Sequence, residues 1–163
     1  KATVVGIGFD AVSREQRDSA AEAARQLRLE PRPIEVRAAA GYADTFAAMD
    51  DARGQPLVLM ASPIFLRDRE PVAQVLLARK IPSIAAFREN AEAGSLISYG
   101  FDLVGLFHDI AGYVDRIARG GKPAEMPIEQ SSRYHLAVNM RTAAALGLAL
   151  PDTFVARADQ VIE

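Results

Sequence analysis

Leu57-Val58-Leu59-Met60-Ala61 is an unbroken apolar run that stops at Ser62-Pro63. Five apolar residues without alternation, bounded by turn formers, read as a strand covered on both faces. Such strands belong to parallel sheets, because crossover helices pack on each side. Upstream, Ala2-Thr3-Val4-Val5-Gly6-Ile7 has the same character, so 2–7 is a first strand. A turn, Gly8-Phe9-Asp10, leads to Ser13-Arg14-Glu15-Gln16, whose spacing predicts a capping box between Ser13 and Gln16. The helix that follows, about 14–29, sets Ala20, Ala24 and Leu27 on one side, and Pro31 and Pro33 end it. Ile34-Glu35-Val36-Arg37 is a second strand. Tyr42, Phe46 and Met49 then share a helix face that Gly54 closes.

Downstream of the central run, a helix at about 67–79 carries Val72, Val75, Leu76 and Arg79 at helical spacing. Pro71 is tolerated near its first turn. Ser83-Ile84-Ala85-Ala86-Phe87 is a further strand, followed by a short acidic helix or turn at 88–93, Gly94, and a strand at 96–99. This βαβαβαβ alternation predicts an α/β fold, a doubly wound parallel sheet of about five strands with right-handed crossovers. After Gly100 the pattern changes. Residues 101–119 predict one long amphipathic helix with Leu103, Phe107, Ile110, Val114 and Ile117 on one face. A loop with Pro123 and Pro127, a half-exposed strand at 134–139, and short helices at 141–146 and 152–160 complete the chain. The expected division is therefore an α/β lobe at 1–99 and a tail at 100–163.

Half of the 163 residues are apolar and a quarter charged, the balance of an ordinary globular domain. Lys and Arg number 19 against 21 Asp and Glu, so no basic field points to nucleic acid. The lack of cysteine removes disulfides, thiolate metal sites and cysteine nucleophiles. Two histidines far apart, His108 and His135, argue against a histidine metal site. No apolar run approaches the roughly 20 residues of a membrane span. No signal peptide is present, and Lys1 runs straight into strand-like sequence, the expectation for a piece of a longer protein.

Catalytic templates fail in turn. Gly6-x-Gly8 lacks the third glycine of a dinucleotide fingerprint, and Arg37-Ala38 ends the second strand without the acidic residue that would hold a ribose. No P-loop, nucleophile elbow or His-Glu-x-x-His occurs. No catalytic residue and no cofactor is expected. In an open parallel sheet, ligands bind beyond the carboxyl ends of the strands. Those ends carry Phe9, Asp10, Arg37, Ser62, Pro63, Phe87, Arg88, Glu89 and Tyr99. Aromatic rings, arginine and small hydrogen-bonding groups suit a small organic ligand bearing a carboxylate. Ser62, Arg88 and Tyr99 rank first, while Phe9 and Phe87 also read as core caps.

A longer pattern runs from Ser62-Pro63-Ile64-Phe65 through Leu77-Ala78-Arg79, Ile81-Pro82-Ser83-Ile84 and Phe87-Arg88-Glu89-Asn90-Ala91-Glu92-Ala93-Gly94. It continues in Ser98-Tyr99-Gly100, Tyr113-Val114-Asp115-Arg116-Ile117, Gly121-Lys122-Pro123-Ala124, Pro127-Ile128-Glu129-Gln130, Asn139, Ala145-Leu146-Gly147-Leu148 and Ala156-Arg157-Ala158-Asp159. This series resembles the C-terminal half of ABC-transporter substrate-binding proteins with the type I periplasmic-binding fold. The resemblance implies that 1–99 is the second of two lobes and that 100–163 returns toward the first. It implies a non-enzymatic solute-binding component of an ABC importer, periplasmic or otherwise extracytoplasmic, whose lobes close on an amino acid or related carboxylate. The closed form would dock on a membrane permease. By the same analogy Ser62, Pro63, Phe87, Arg88 and Tyr99 edge the cleft and Gly100 lies near the hinge. Relatives often have Asn-Pro where this chain has Gly8-Phe9-Asp10, so the resemblance does not carry ligand identity. A flavodoxin-like or nucleotide-binding enzyme, or the effector domain of a transcription regulator, remain as alternative readings. The apolar face at 101–119 leads to the further expectation of a homodimer.

Overall fold

The computed structural model describes residues 2–37, 41–52, 54–128 and 134–163. Lys1, Ala38, Glu129 and Gln130, quoted above, lie outside them. Strands β1 (Val4–Phe9), β2 (Glu30–Glu35), β3 (Leu57–Leu59), β4 (Ser83–Ala85), β5 (Ile97–Phe101), β6 (Tyr134–Asn139) and β7 (Gln160–Ile162) form one sheet. Their order is β2-β1-β3-β4-β5-β6-β7, and every neighbouring pair is parallel except β5 with β6. The five parallel strands expected from the sequence are present, and the tail extends the same sheet by two more.

Helix α1 (Arg14–Gln26) covers one face over Ile7, Phe9 and Met60 through Ala21 and Ala24. On the other face lie α2 (Tyr42–Phe46), α3 (Pro63–Arg67), α4 (Arg69–Ala78) and α5 (Arg88–Ala93). Phe46, Met49, Leu57, Leu59, Phe65, Val72 and Leu76 form the larger core there. Gly6 and Gly8 explain the glycine doublet in physical terms. A Cβ on Gly6 would lie 2.6 Å from Leu57 Cδ1, and one on Gly8 would lie 2.8 Å from Leu59 Cδ2. The pair clears room for core side chains rather than for a pyrophosphate.

Several local expectations are corrected. Pro31 and Pro33 do not end α1; they lie inside β2. Glu30 and Val36 donate to Thr3 and Phe9 of the β1 side, so the odd-numbered positions between them face the free edge, where a missing N–H costs nothing. The helix instead stops at Gln26 because Arg28 adopts a positive φ of 60°. That leaves Leu27 as a C-cap, largely exposed rather than in the buried stripe. The helix expected at 67–79 is α4, and the short α3, which the sequence reading did not foresee, precedes it; between them stands Asp68, whose carboxylate receives Arg67 and the Tyr42 hydroxyl. These contacts hold Asp68 at about 2, far below its ordinary value, with the Arg67 hydrogen bond the main cause and that of Tyr42 next. The helix expected to 160 is only α8 (Asp152–Val155). Asp159 exchanges its backbone N–H and its carboxylate with the C=O and N–H of Leu136, which commits the following residues to β7.

The sequence places the long helix correctly: α6 spans Leu103–Ala118, and α7 (Met140–Leu146) ends at Gly147 with φ 71°. Yet α6 buries no residue. Val104, Phe107, Ile110, Val114 and Ile117 are all exposed. The Tyr113 hydroxyl donates to the Pro127 carbonyl at 2.9 Å and ties the following loop to the helix. Among the described residues no helix is long and apolar enough to cross a membrane.

Gly100, expected near a hinge, sits within β5 opposite His135. A Cβ there would lie 1.9 Å from the Ala86 carbonyl oxygen, so this crossing requires glycine for close backbone approach. Gly100→Ala is expected to lower stability by about 1–3 kcal/mol, read from the midpoint of a urea transition.

Candidate ligand-binding edge

The strand order reverses direction between β1 and β3, the point where an open α/β sheet leaves a crevice beyond its carboxyl edge. Here that crevice is bridged by side chains. Asp10, just past β1, is buried, as is Ser62, just past β3. The Ser62 hydroxyl donates to Asp10 Oδ2 and accepts from the Ile64 N–H at 3.2 Å, capping α3. Ser13 Oγ donates to Asp10 Oδ1 at 2.7 Å, and the N–H groups of Val12 and Ser13 reach the same oxygen. A second bridge lies beside it: the Gln16 amide accepts from the Ala61 N–H at 2.9 Å and donates to the Ala61 carbonyl at 3.3 Å.

The capping box is thereby overturned. Ser13 makes no side-chain cap on α1, because Asp10 takes its hydroxyl, and Gln16 reaches across the sheet edge instead. The spacing Asp10-x-x-Ser13 was the available signal, since Asp side chains bind backbone N–H groups two and three residues on. Burial opposes ionisation of Asp10, but hydrogen bonds from Ser62, then Ser13 and the two N–H groups, outweigh it and hold the carboxyl below its ordinary value.

The remaining predicted residues fall into three places along the edge. Arg37 and Pro63 join Asp10 around a cavity of about 620 Å³, whose lining also includes Val12, Arg14 and Glu35. Glu35 receives Arg14 at 3.3 Å and Arg37 at 2.9 Å. The Arg37 hydrogen bond, with that from Arg14 second, keeps the Glu35 carboxyl below its usual range. Arg88 and Glu89 line a separate void the size of one water, with Phe101, Asp102, Leu103 and His135. Arg88 Nε and His135 Nδ1 are buried there without a hydrogen-bond partner, and Glu92 approaches Arg88 Nε at 3.6 Å.

Tyr99 points to the opposite sheet face from Ser98, which pairs with core Ala85. Its exposed ring stacks on Tyr134 at 5.5 Å, and Phe101 approaches Tyr134 at 5.0 Å. Phe9 is a core residue, with Arg17 held over its ring at 4.7 Å, and Phe87 is half-buried at the N-cap of α5. The sequence reading missed Val12, Arg14, Glu35, His135 and Tyr134 as edge residues. Nothing in their local spacing distinguishes them from surface positions. Among the described residues no group of three or more His, Asp or Glu could hold a metal.

The described residues form a doubly wound sheet with a cavity at its carboxyl edge, the place where open α/β sheets bind small molecules. Residues 15–162 match the family described as ABC transporter substrate binding protein, and the chain belongs to it. No curated protein matches the chain. Among solved structures, a conserved domain protein from Vibrio cholerae superposes with a TM-score of 0.89 at 18% identity, covering 99% of this chain. An ABC domain from Streptococcus pneumoniae in complex with L-Trp gives 0.88 at 20% identity over 98%. A ligand-free, open substrate-binding protein with adhesive properties from Clostridium difficile gives 0.72 at 19% over 100%. In each case this chain spans only 55% of the matched chain.

Asp10 gives a pH dependence whose sign is fixed. Its folded value lies below the ordinary one, so its ionised form stabilises the fold above a pH of about 3.9. That contribution is lost as pH falls through the lower, folded value. Asp10→Asn is expected to be less stable at pH 7 by about 1–3 kcal/mol and to show a flatter acid limb. Chemical denaturation from pH 7 to pH 2 checks both.

Proposed function

We propose that this chain is one lobe, with its returning segment, of the extracytoplasmic solute-binding component of an ABC importer, without catalytic activity. The solute is a small organic molecule, an amino acid or related carboxylate, held in a cleft between this lobe and a second. The observation that carries the reading is the carboxyl edge itself. Asp10 and Ser62 tie β1 to β3 at the switch point, leaving a rigid floor beneath an open cavity. Asp10 and Ser62 act as positioning groups for that floor, while Arg37, Pro63, Arg88, Glu89 and Tyr99 stand along it.

Hinge closure finds its support in the path of the chain. The crossing itself runs through Gly100 and Asp102, beyond which α6 leaves the body of the fold. A solute that contacts both lobes then stabilises the closed form by its differential affinity for it, and that form engages the permease.

The exposed apolar face of α6 is the surface on which the other lobe packs. In the isolated chain that face is expected to pair with a second copy, giving a homodimer. Light scattering at high concentration should report a dimer for the chain and a monomer for Phe107→Asp/Val114→Asp. A monomeric wild-type chain would remove the dimer and leave the solute reading intact. For the solute, a thermal-shift screen of amino acids and small carboxylates on the two-lobed protein should give saturable stabilisation by at least one of them. A blank screen counts against the importer reading.

A further inference from the structure

We propose that a single ordered water is built into the root of α6, held between Arg88 Nε and His135 Nδ1, where it ties both arms of the crossing to α5. The inference stands apart from the solute reading, since it concerns how the crossing is held and not what the edge binds. The chain leaves the body of the fold at 101–103 and returns at Tyr134. The two arms lie side by side, because Gly100 pairs with His135 and Phe101 with Tyr134. Between these arms and the first turn of α5 is a cavity of about 10 Å³, the room that one water needs. Arg88 and Glu89 line it from α5, Phe101, Asp102 and Leu103 from the outgoing arm, and His135 from the returning one.

Two buried polar atoms at this junction have no partner within the protein, Arg88 Nε and His135 Nδ1. Glu92 Oε1 lies 3.6 Å from Arg88 Nε, beyond hydrogen-bond length, and accepts instead from Gln160 Nε2 at 3.3 Å. Arg88 Nε can only donate, while the imidazole nitrogen accepts or donates with its tautomer. Water does both, so one molecule serves the pair in either tautomer. The other polar groups of the lining, Glu89 and Asp102, are acceptors for a remaining water proton. The same carboxylates tell against an anion, the Arg88 guanidinium tells against a cation, and the volume admits no organic ligand. A buried donor left unmade is costly, so the site favours occupancy.

The test is a high-resolution crystal structure of the chain, with a second crystal soaked in bromide. A single water peak within about 3.2 Å of both nitrogens is expected, with no anomalous signal there after the soak. A bromide peak, a dry cavity, or Arg88 and His135 bonded to other groups overturns the proposal. Hydrogen exchange reads the tie itself, through the Leu106 N–H that closes the first turn of α6 on the Asp102 carbonyl. His135→Leu should speed that exchange about tenfold, as loss of one bridging hydrogen bond gives. His135→Asn, whose amide reaches the place of Nδ1, should restore it. Glu92→Gln keeps Arg88 Nε at the cavity and should leave the Leu106 rate unchanged. A rate indifferent to His135→Leu, or raised equally in all three variants, overturns the proposal as well. A blank solute screen bears on none of these results.

Discussion

The Asp10 carboxylate, buried between β1 and β3, is the constraint on which the functional edge depends. A doubly wound sheet opens a crevice where its strand order reverses, and backbone donors converge there. In this chain two serine hydroxyls and two N–H groups close on one carboxylate at that point. No cation compensates it among those contacts; hydrogen bonds alone outweigh the burial. The result is a floor whose polar groups are satisfied internally. Helices α1 and α3 start from it, so their first residues are fixed relative to each other across the cavity.

Satisfaction at the floor contrasts with what lies at the far end of the edge. Around the root of α6, Arg88 Nε and His135 Nδ1 have no hydrogen-bond partner, and three rings stand half in solvent. The α6 helix carries an apolar stripe and buries none of it. Packing and hydrogen bonding are thus concentrated at the β1–β3 end of the sheet edge, and exposed apolar surface at the α6 end.

Much of the architecture was legible in the residues. Continuous apolar runs at 2–7 and 57–61 specify strands covered on both faces, and helical spacing between them leaves few topologies open. The apolar stripe of α6 and the alternation at 134–139 were equally plain. The site was legible only as a location. Position past a strand end predicts that a residue lies on the edge, but not whether its side chain faces a ligand, the core or its neighbour. Ser62 and Asp10 were selected as ligand groups, and each has the other as its partner.

What the sequence by itself determined is therefore the first five strands, their parallel arrangement and most of the helices between them. These follow from local periodicity, which backbone geometry converts directly into which face is buried. Only the tertiary structure decided the rest: that Pro31 and Pro33 sit on a free strand edge, that Gln16 pairs with Ala61, that Asp159 starts a strand, and that Glu35 stands between two arginines. Each of these depends on which strand lies outermost or on a partner at least 21 residues away: Ala61 for Gln16, Leu136 for Asp159 and Arg14 for Glu35. Hydrogen-bond partners and edge positions are properties of the assembled sheet, and no local pattern encodes them.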